Sequence, residues 1–501
     1  MRQTRYLLGY DLGSSSVKVS IVDAETGGLI GSATSPEQEV EIVSRQPGWA
    51  EQDPENWWEH IVRATRKVLT STGINGHDVD AIGISYQMHG LVVVDKDQKV
   101  LRSSIIWCDS RAVEIGNDAF TAIGPEVCLG RFLNSPGNFT ASKLKWVKDN
   151  EPELFSRIFK IMLPGDYIGM KLTGEICTTV SGLSEGIFWD YQNQGIAETL
   201  LDYYGISSEL LPEYHPSFHV HGLVSMDAAN ELGLKAGTKV SYRAGDQPNN
   251  ALSLNVLDPG DVATTAGTSG VIYGITDKPE YDSKSRVNTF VHVNNDAVSS
   301  RYGILLCING TGILNSWLRK NLGVKSTLDY TELNEIAARS PIGAEGLSIL
   351  PFGNGAERIL ENKTNGAEFF GLDFNRHNTA HVLRAAQEGI VFSLIYGFQI
   401  MKDMGMKLHT VKAGNANMFL SPIFREAFVN TAGVPLELYN TDGSQGAARG
   451  AGIGAGVFSS TKEAFSGLKR INLIEPEKNK SGVYLDAYEK WESRLRKSYS
   501  L

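Results

Sequence analysis

A stretch near the amino terminus, "GYDLGSSSVKVSIVD" (Gly9–Asp23), returns in part as "TAGTSGVIYGITD" (Thr265–Asp277), 254 residues later. Each copy reads as a strand, a tip of small residues and an outgoing strand. The offset matches Gly13 with Gly267, Ser15 with Ser269, Val17 with Val271, Ile21 with Ile275 and Asp23 with Asp277. These identities fall on one structural unit. The spacing therefore predicts two domains with related cores, each contributing one hairpin. The turn Asp258-Pro259-Gly260 inside "SLNVLDPGDVA" marks the junction, and we set the division at 1–254 and 255–501.

A tip of Gly, Ser and Thr lets the backbone present several N–H groups outward, a cradle for anions and above all for phosphate. Alone, "GSSS" reads as an ordinary hairpin turn; with "AGTSG" facing it from a second core, the pair reads as a two-sided phosphate site. Asp11, beside the first tip, would repel phosphate unless a divalent cation stood between them. It therefore reads as a magnesium-side ligand acting through water. The loop "RAGDQPNNAL" (Arg243–Leu252) follows the strand-like "TKVSYRA" and carries Asp246. An acid there reads equally as a helix cap or a catalytic group. Its place shortly before the second hairpin makes it the best general-base candidate. In "SYQMHGL", His89 stands between two apolar strands, where a core histidine and a ligand contact compete; Gln87 and Met88 beside it favour a pocket.

Other patterns are excluded. Neither G-x-x-x-x-G-K-[ST] nor a strand-linked G-x-G-x-x-G occurs. "GLSEG" (Gly182–Gly186) fits G-x-S-x-G but lacks the strand and helix a nucleophile elbow requires. "GAARGAGIGAG" (Gly446–Gly456) reads as close helix packing, and "WLRKN" (Trp317–Asn321) as a solvated helix end. A net charge of −10 excludes the basic face that nucleic acid demands. The 501 residues exceed one ordinary core, and 42% hydrophobic with 21% charged residues is a globular composition. Cys108, Cys128, Cys177 and Cys307 are scattered, which supports neither zinc nor a disulfide framework and suits a reducing compartment. No apolar run is long enough to span a bilayer. The expectation is a cytoplasmic α/β protein free of membrane, for which a homodimer is the default assembly.

Several motifs together resemble the FGGY carbohydrate kinases of the actin-like ATPase superfamily. "GYDLGSSSVK" and "TTAGTSG" are similar to its two phosphate motifs, and "NFTASKLKWVKDN" (Asn138–Asn150) and "FFGLDFNRHNTAHVLRAAQEGI" (Phe369–Ile390) to its two signatures. "VKAGNANMFLSPIFREAFVNTAGVPLEL" (Val411–Leu438) is similar to its adenosine motif. The resemblance implies two ribonuclease H-like domains closing on a central cleft, with ATP and Mg²⁺ as cofactors and a sugar as acceptor. Within the family, "EQDPENWWEHI" and "QMHG" resemble the members that phosphorylate D-xylulose; another sugar or polyol is the alternative, and an actin-like switch the more distant one. By analogy Met88, His89, Asp246 and Gln247 would contact the sugar, with Asp246 the base and, with Asp11, on the metal. Gly13, Ser14, Ser15 and Lys18, with Gly267 and Thr268, would hold the phosphates. Gly312, Ser316, Gly414 and Asn417 would flank the adenosine. Gln247 stands where the xylulose-specific members usually carry Asn, and Ala413 where the family's adenosine motif begins with Gly.

Overall fold

The computed structural model describes residues 5–322 and 328–500. Its first sheet is built from β1 (Tyr6–Leu12), β2 (Val17–Asp23), β3 (Leu29–Ser35), β4 (Val79–Tyr86), β5 (Phe218–Leu223) and β6 (Lys239–Gly245). Their spatial order is β5-β6-β4-β1-β2-β3. The second sheet holds β7 (Asp261–Ala266), β8 (Gly270–Thr276), β9 (Asn288–Val291), β10 (Tyr302–Ile308), β11 (Thr410–Gly414), β12 (Leu436–Tyr439) and β13 (Arg470–Ile474), in the order β9-β10-β8-β7-β11-β12-β13. Each sheet contains the same five-strand unit. Three strands pair antiparallel, β1-β2-β3 in the first sheet and β7-β8-β10 in the second, and two later ones join parallel on the far side of the first. That is the ribonuclease H-like order, present twice. β5, β9 and β13 are antiparallel edge additions.

The helices that bear on function are α1 (Pro54–Thr72), α2 (Thr140–Asn150), α3 (Val180–Glu185), α4 (Asp246–Ser253), α5 (Gly312–Asn321), α6 (Thr379–Asp403), α7 (Gly443–Gly454) and α8 (Lys478–Tyr499). α1 begins where Asp53 accepts the Glu55 N–H and Pro54 takes the first turn, as the sequence indicates. It buries Trp57, Trp58, Ile61, Val68 and Leu69 against β2 and β3. α8 covers α6 with Tyr484, Trp491 and Leu495.

Two findings revise the repeat. The first tip spans four residues, 13–16, and the second three, 267–269. In the incoming strands the 254-residue offset holds, since Asp11 and Thr265 are equivalent. Across the turn, Asp11 faces Lys18 whereas Thr265 faces Val271. Val271 thus occupies the place of Lys18, not of Val17. A shift of one residue sends a side chain to the other face of a sheet, so the identities in the outgoing strands are not structural equivalences. Second, α7 belongs to the carboxy-terminal half of the chain but packs on the first sheet, across β1, β4 and β6. The glycine string makes this possible. A Cβ on Gly450 would lie 2.6 Å from the Tyr242 ring, and one on Gly9, in β1, would lie 1.9 Å from the Ser444 carbonyl.

Candidate functional site

The strand ends nearest the chain's polar loops converge between the two cores. At the first tip, Gly13 N–H donates to Ser16 O at 3.0 Å. The carbonyls of Ser14 and Ser15 are tied to the protein by Gln52 Nε2 (2.7 Å) and Val40 N–H (2.8 Å). Gln52 also accepts from Gln87 Nε2 (3.1 Å) and Trp57 Nε1 (3.1 Å). The phosphate-type tip and the Gln87-Met88-His89 segment therefore share one brace.

Asp11 is half-buried and accepts a hydrogen bond from Ser85 Oγ at 2.8 Å. Burial raises its pKa; Ser85 opposes this, and the nearby Asp442 charge adds to it. Asp11 lies against the start of α7, where a Cβ on Gly443 would sit 2.4 Å from Asp11 Oδ2. Lys18 does not present a free ammonium to the cleft. Its Nζ is 2.7 Å from Asp442 Oδ2, in an ion pair linking residues 424 positions apart.

Asp246 is the first residue of α4, directly after β6. Burial, then the charge of Asp11, pushes its pKa up to about 7, against hydrogen bonding from Gln247. The preceding Gly245 permits a close approach: its Cβ would be 2.4 Å from Glu185 Oε2 and 2.6 Å from Met88 Cγ. Met88 and His89 thus stand beside Asp246. His89 adopts a left-handed backbone (φ 60°). Its N–H donates to Glu185 Oε1 (3.2 Å), and its Nδ1 lies 3.0 Å from the Glu185 carbonyl. A carbonyl only accepts, so Nδ1 carries the proton and Nε2 is left as an acceptor. Burial, reinforced by the Lys143 charge, pushes the His89 pKa down to about 3, and the ring is neutral. It meets Phe139 edge-on at 4.7 Å and Phe290, from the second core, at 5.6 Å. Lys143 Nζ donates to the carbonyls of His89 (2.8 Å) and Ile106 (3.0 Å).

The second tip is held from below. Gly312 N–H donates to Gly267 O (2.9 Å) and Ile313 N–H to Thr268 O (3.1 Å). Thr311 Oγ1 donates to both carbonyls, at 3.1 and 3.0 Å. A Cβ on Gly312 would lie 2.2 Å from Gly267 O, so only glycine allows this docking. Beside the tip opens a cavity of about 900 Å³ lined by Gly267, Thr268, Gly312, Ser316 and Asn417, together with Lys320, Tyr330, Met418 and Ile423. Lys320, from the cluster read as a solvated helix end, therefore faces a cavity. Gly414 ends β11 close by but is not part of the lining. A half-apolar cleft of this size with a few polar groups suits a nucleoside.

Sequence reasoning missed Glu185, Lys143, Asp442 and Gln52. Glu185 lies in "GLSEG", where the absence of a nucleophile elbow holds: Ser184 is buried and hydrogen-bonded to Ser181 O and Val291 N–H. Among the described residues no group of three or more His, Cys, Asp or Glu is arranged to hold a metal ion. No helix among them is long and apolar enough to cross a membrane. All four cysteines are free.

Two ribonuclease H-like cores, each carrying a small-residue hairpin tip, define an actin-like ATPase architecture. The profile of the N-terminal domain of the FGGY family of carbohydrate kinases matches residues 6–253, and that of its C-terminal domain matches 262–457. The chain is 30% identical to the xylulose kinase of Bacillus subtilis (strain 168), over 92% of this chain and 90% of that one. Among solved structures, a xylulose kinase from Rhodospirillum rubrum superposes with a TM-score of 0.87 at 24% identity, over 99% and 100% of the two chains. A gluconate kinase from Lactobacillus acidophilus superposes equally well, with a TM-score of 0.89 at 23% identity over 99% and 98%. The protein belongs to the FGGY family of carbohydrate kinases, and is a phosphotransferase acting on a sugar hydroxyl with ATP as its second substrate.

Proposed function

We propose that the acceptor is D-xylulose and that the product is D-xylulose 5-phosphate, formed in the cytoplasm. The curated relatives named xylulose kinase favour this sugar. The structural likenesses do not discriminate, because a gluconate kinase fits the backbone as well as a xylulose kinase. The observation that carries the mechanism is Asp246: an acid with a pKa near 7, beside Met88 and His89 and electrostatically coupled to Asp11.

In this reading the sugar lies against Met88, His89 and Gln247, and His89 Nε2 accepts a hydrogen bond from a sugar hydroxyl. The terminal hydroxyl gives its proton to Asp246 as its oxygen bonds to the γ-phosphorus, and the bond to the β,γ-bridging oxygen breaks to release ADP. A base with a pKa near neutrality is matched to that task. The nucleoside occupies the cavity flanked by Ser316 and Asn417, with Gly414 at its approach. The tips Gly13–Ser15 and Gly267–Thr268 face the phosphates. Lys18 reaches them only by leaving Asp442.

Mg²⁺ suits this donor set. The Asp11 charge raises the pKa of Asp246, and among the described residues no cation is bonded to either; such a pair matches an ion that takes one or two carboxylates and completes its shell with phosphate and water. When bound, it neutralises charge on the transferring group. Orientation and exclusion of water by the two cores supply much of the remaining acceleration.

A panel of sugars in a coupled ADP-release assay tests the assignment. D-xylulose should give the highest kcat/KM, ahead of ribulose, gluconate and glycerol. A higher value for any of these would replace xylulose, and ADP release without any sugar would contradict the mechanism.

A further inference from the structure

Arg358 plays no part in the chemistry so far. It follows Glu357, a fully buried acid whose carboxylate accepts the N–H of Asn309 (3.0 Å to each oxygen) and of Gly310 (2.9 Å). Those amides lie just past β10, immediately before the Thr311–Gly312 clamp on the second tip. Glu357 therefore fixes the turn Arg358–Leu360 to the loop that holds the nucleotide-side hairpin.

From that turn the guanidinium enters the cleft. It lies 5.9 Å from the centre of the Phe139 ring, whose edge contact with His89 is described above. Its charge reaches both His89 and Cys307, and Cys307 in turn is coupled to Asp246. Arg358 thus stands between the sugar-side residues and the base. Arg358 is half-buried; three deeper arginine side chains are matched with acids, Arg111 with Asp109, Arg243 with Asp166 and Arg384 with Glu388, and Arg449 is held by Gly27 O and Thr441 Oγ1. Among the described residues, no carboxylate or hydrogen-bond acceptor pairs with the Arg358 guanidinium. A desolvated cation left in this state is costly, and burial pulls its pKa down accordingly. The planar fork is complementary to an anion with oxygens in a plane, and a neutral sugar supplies none.

We propose that Arg358 is a catalytic residue that grips oxygens of the phosphoryl group as it passes from ATP to the sugar, with Glu357 as its positioning residue. The step is the one given above: the sugar oxygen bonds to phosphorus, the bridging bond breaks, the proton goes to Asp246 and ADP leaves. Arg358 exchanges no proton. It holds charge that grows on the equatorial oxygens, in the manner of an arginine supplied in cis. This inference rests on the cleft reading of Asp246 and on the acceptor being a neutral sugar, but not on which neutral sugar is used.

The test measures Arg358→Ala and Arg358→Lys, with whichever sugar the panel selects, for kcat, sugar KM and ATP affinity. Arg358→Ala should lower kcat by at least about a hundredfold with KM and ATP affinity little changed. Lysine keeps the charge but not the fork and should recover part of the loss. Added guanidinium ion should restore saturable activity to Arg358→Ala, which a merely structural role would not allow. Unchanged kcat, or a loss confined to sugar KM, would overturn the proposal. Should Arg358→Ala fail to fold, Arg358→Lys and Glu357→Gln carry the test: a kcat loss in both supports it and wild-type kcat in both overturns it. A wild-type protein inert on every sugar would instead strike at the proposed function.

Discussion

The two cores place an acid at the same point of the same plan. Strand β6 runs into Asp246 and α4; strand β12 runs through a short loop into Asp442 and α7. Yet the two carboxylates are treated oppositely. Asp442 accepts from Lys18, from Ser444 Oγ (2.7 Å) and from the Gln445 N–H (3.1 Å), and its pKa falls despite burial. Among the described residues Asp246 has no cationic partner; the nearby Asp11 charge acts on it instead, and its pKa climbs to about 7. One acid is satisfied by its partners; the other keeps a raised proton affinity, which is what the proposed base requires. The same division runs through the neighbouring strand ends. β4 leads to Met88 and His89, proposed to meet the sugar, while β11 leads to Asn417, which lines the cavity proposed for the nucleoside. Duplication supplied the cleft, and differences in charge assigned the roles.

The largest expected effect falls on the unsatisfied acid. Asp246→Asn should lower kcat by about 10²–10⁴-fold while ATP still binds, as read by steady-state kinetics and titration calorimetry. Next is Gly443→Ala, whose Cβ would collide with Asp11 Oδ2. Displacing that carboxylate by an ångström should cost roughly a hundredfold in kcat, with the melting temperature little changed. Unaltered kcat would remove Asp11 from the chemistry.

A smaller effect concerns pH. The folded pKa of Asp246 lies above its unfolded value. Its contribution to stability is therefore present below pH 3.8 and lost as pH rises through about 7. In the absence of nucleotide and divalent cation, Asp246→Asn should gain on the wild type by about 1–3 kcal/mol between pH 4 and pH 8 in denaturant titrations. A gain independent of pH would contradict the assigned pKa. Smallest is Asp442→Ala, which removes a cap and a half-exposed ion pair. It should cost about 1 kcal/mol of stability and leave kcat within roughly tenfold.

Much of this plan was legible in the residues because strand periodicity and tip composition are local. β1 and β2 fall where the hairpin pattern puts them, and α1 starts at its Asp-Pro signal. The register was not legible, because tips of four and three residues look alike in an alignment although one residue flips every outgoing side chain. The Lys18–Asp442 ion pair was not legible either, since nothing near Lys18 in sequence announces Asp442, 424 residues away. Glu185, Lys143 and Arg358 reach the cleft from helices and turns with no shared motif, and only the fold assembles them. The placement of Asp246 at the opening of a helix after a strand was legible by contrast, since that pattern is local.

The most direct measurement of the asymmetry is single-turnover phosphoryl transfer from ATP to the sugar by Asp246→Asn and Asp442→Asn, side by side at pH 8 under saturating substrates. The account predicts that only Asp246→Asn loses the transfer step, while Asp442→Asn transfers at close to the wild-type rate. Equal losses in the two variants, or full transfer by Asp246→Asn, would contradict it.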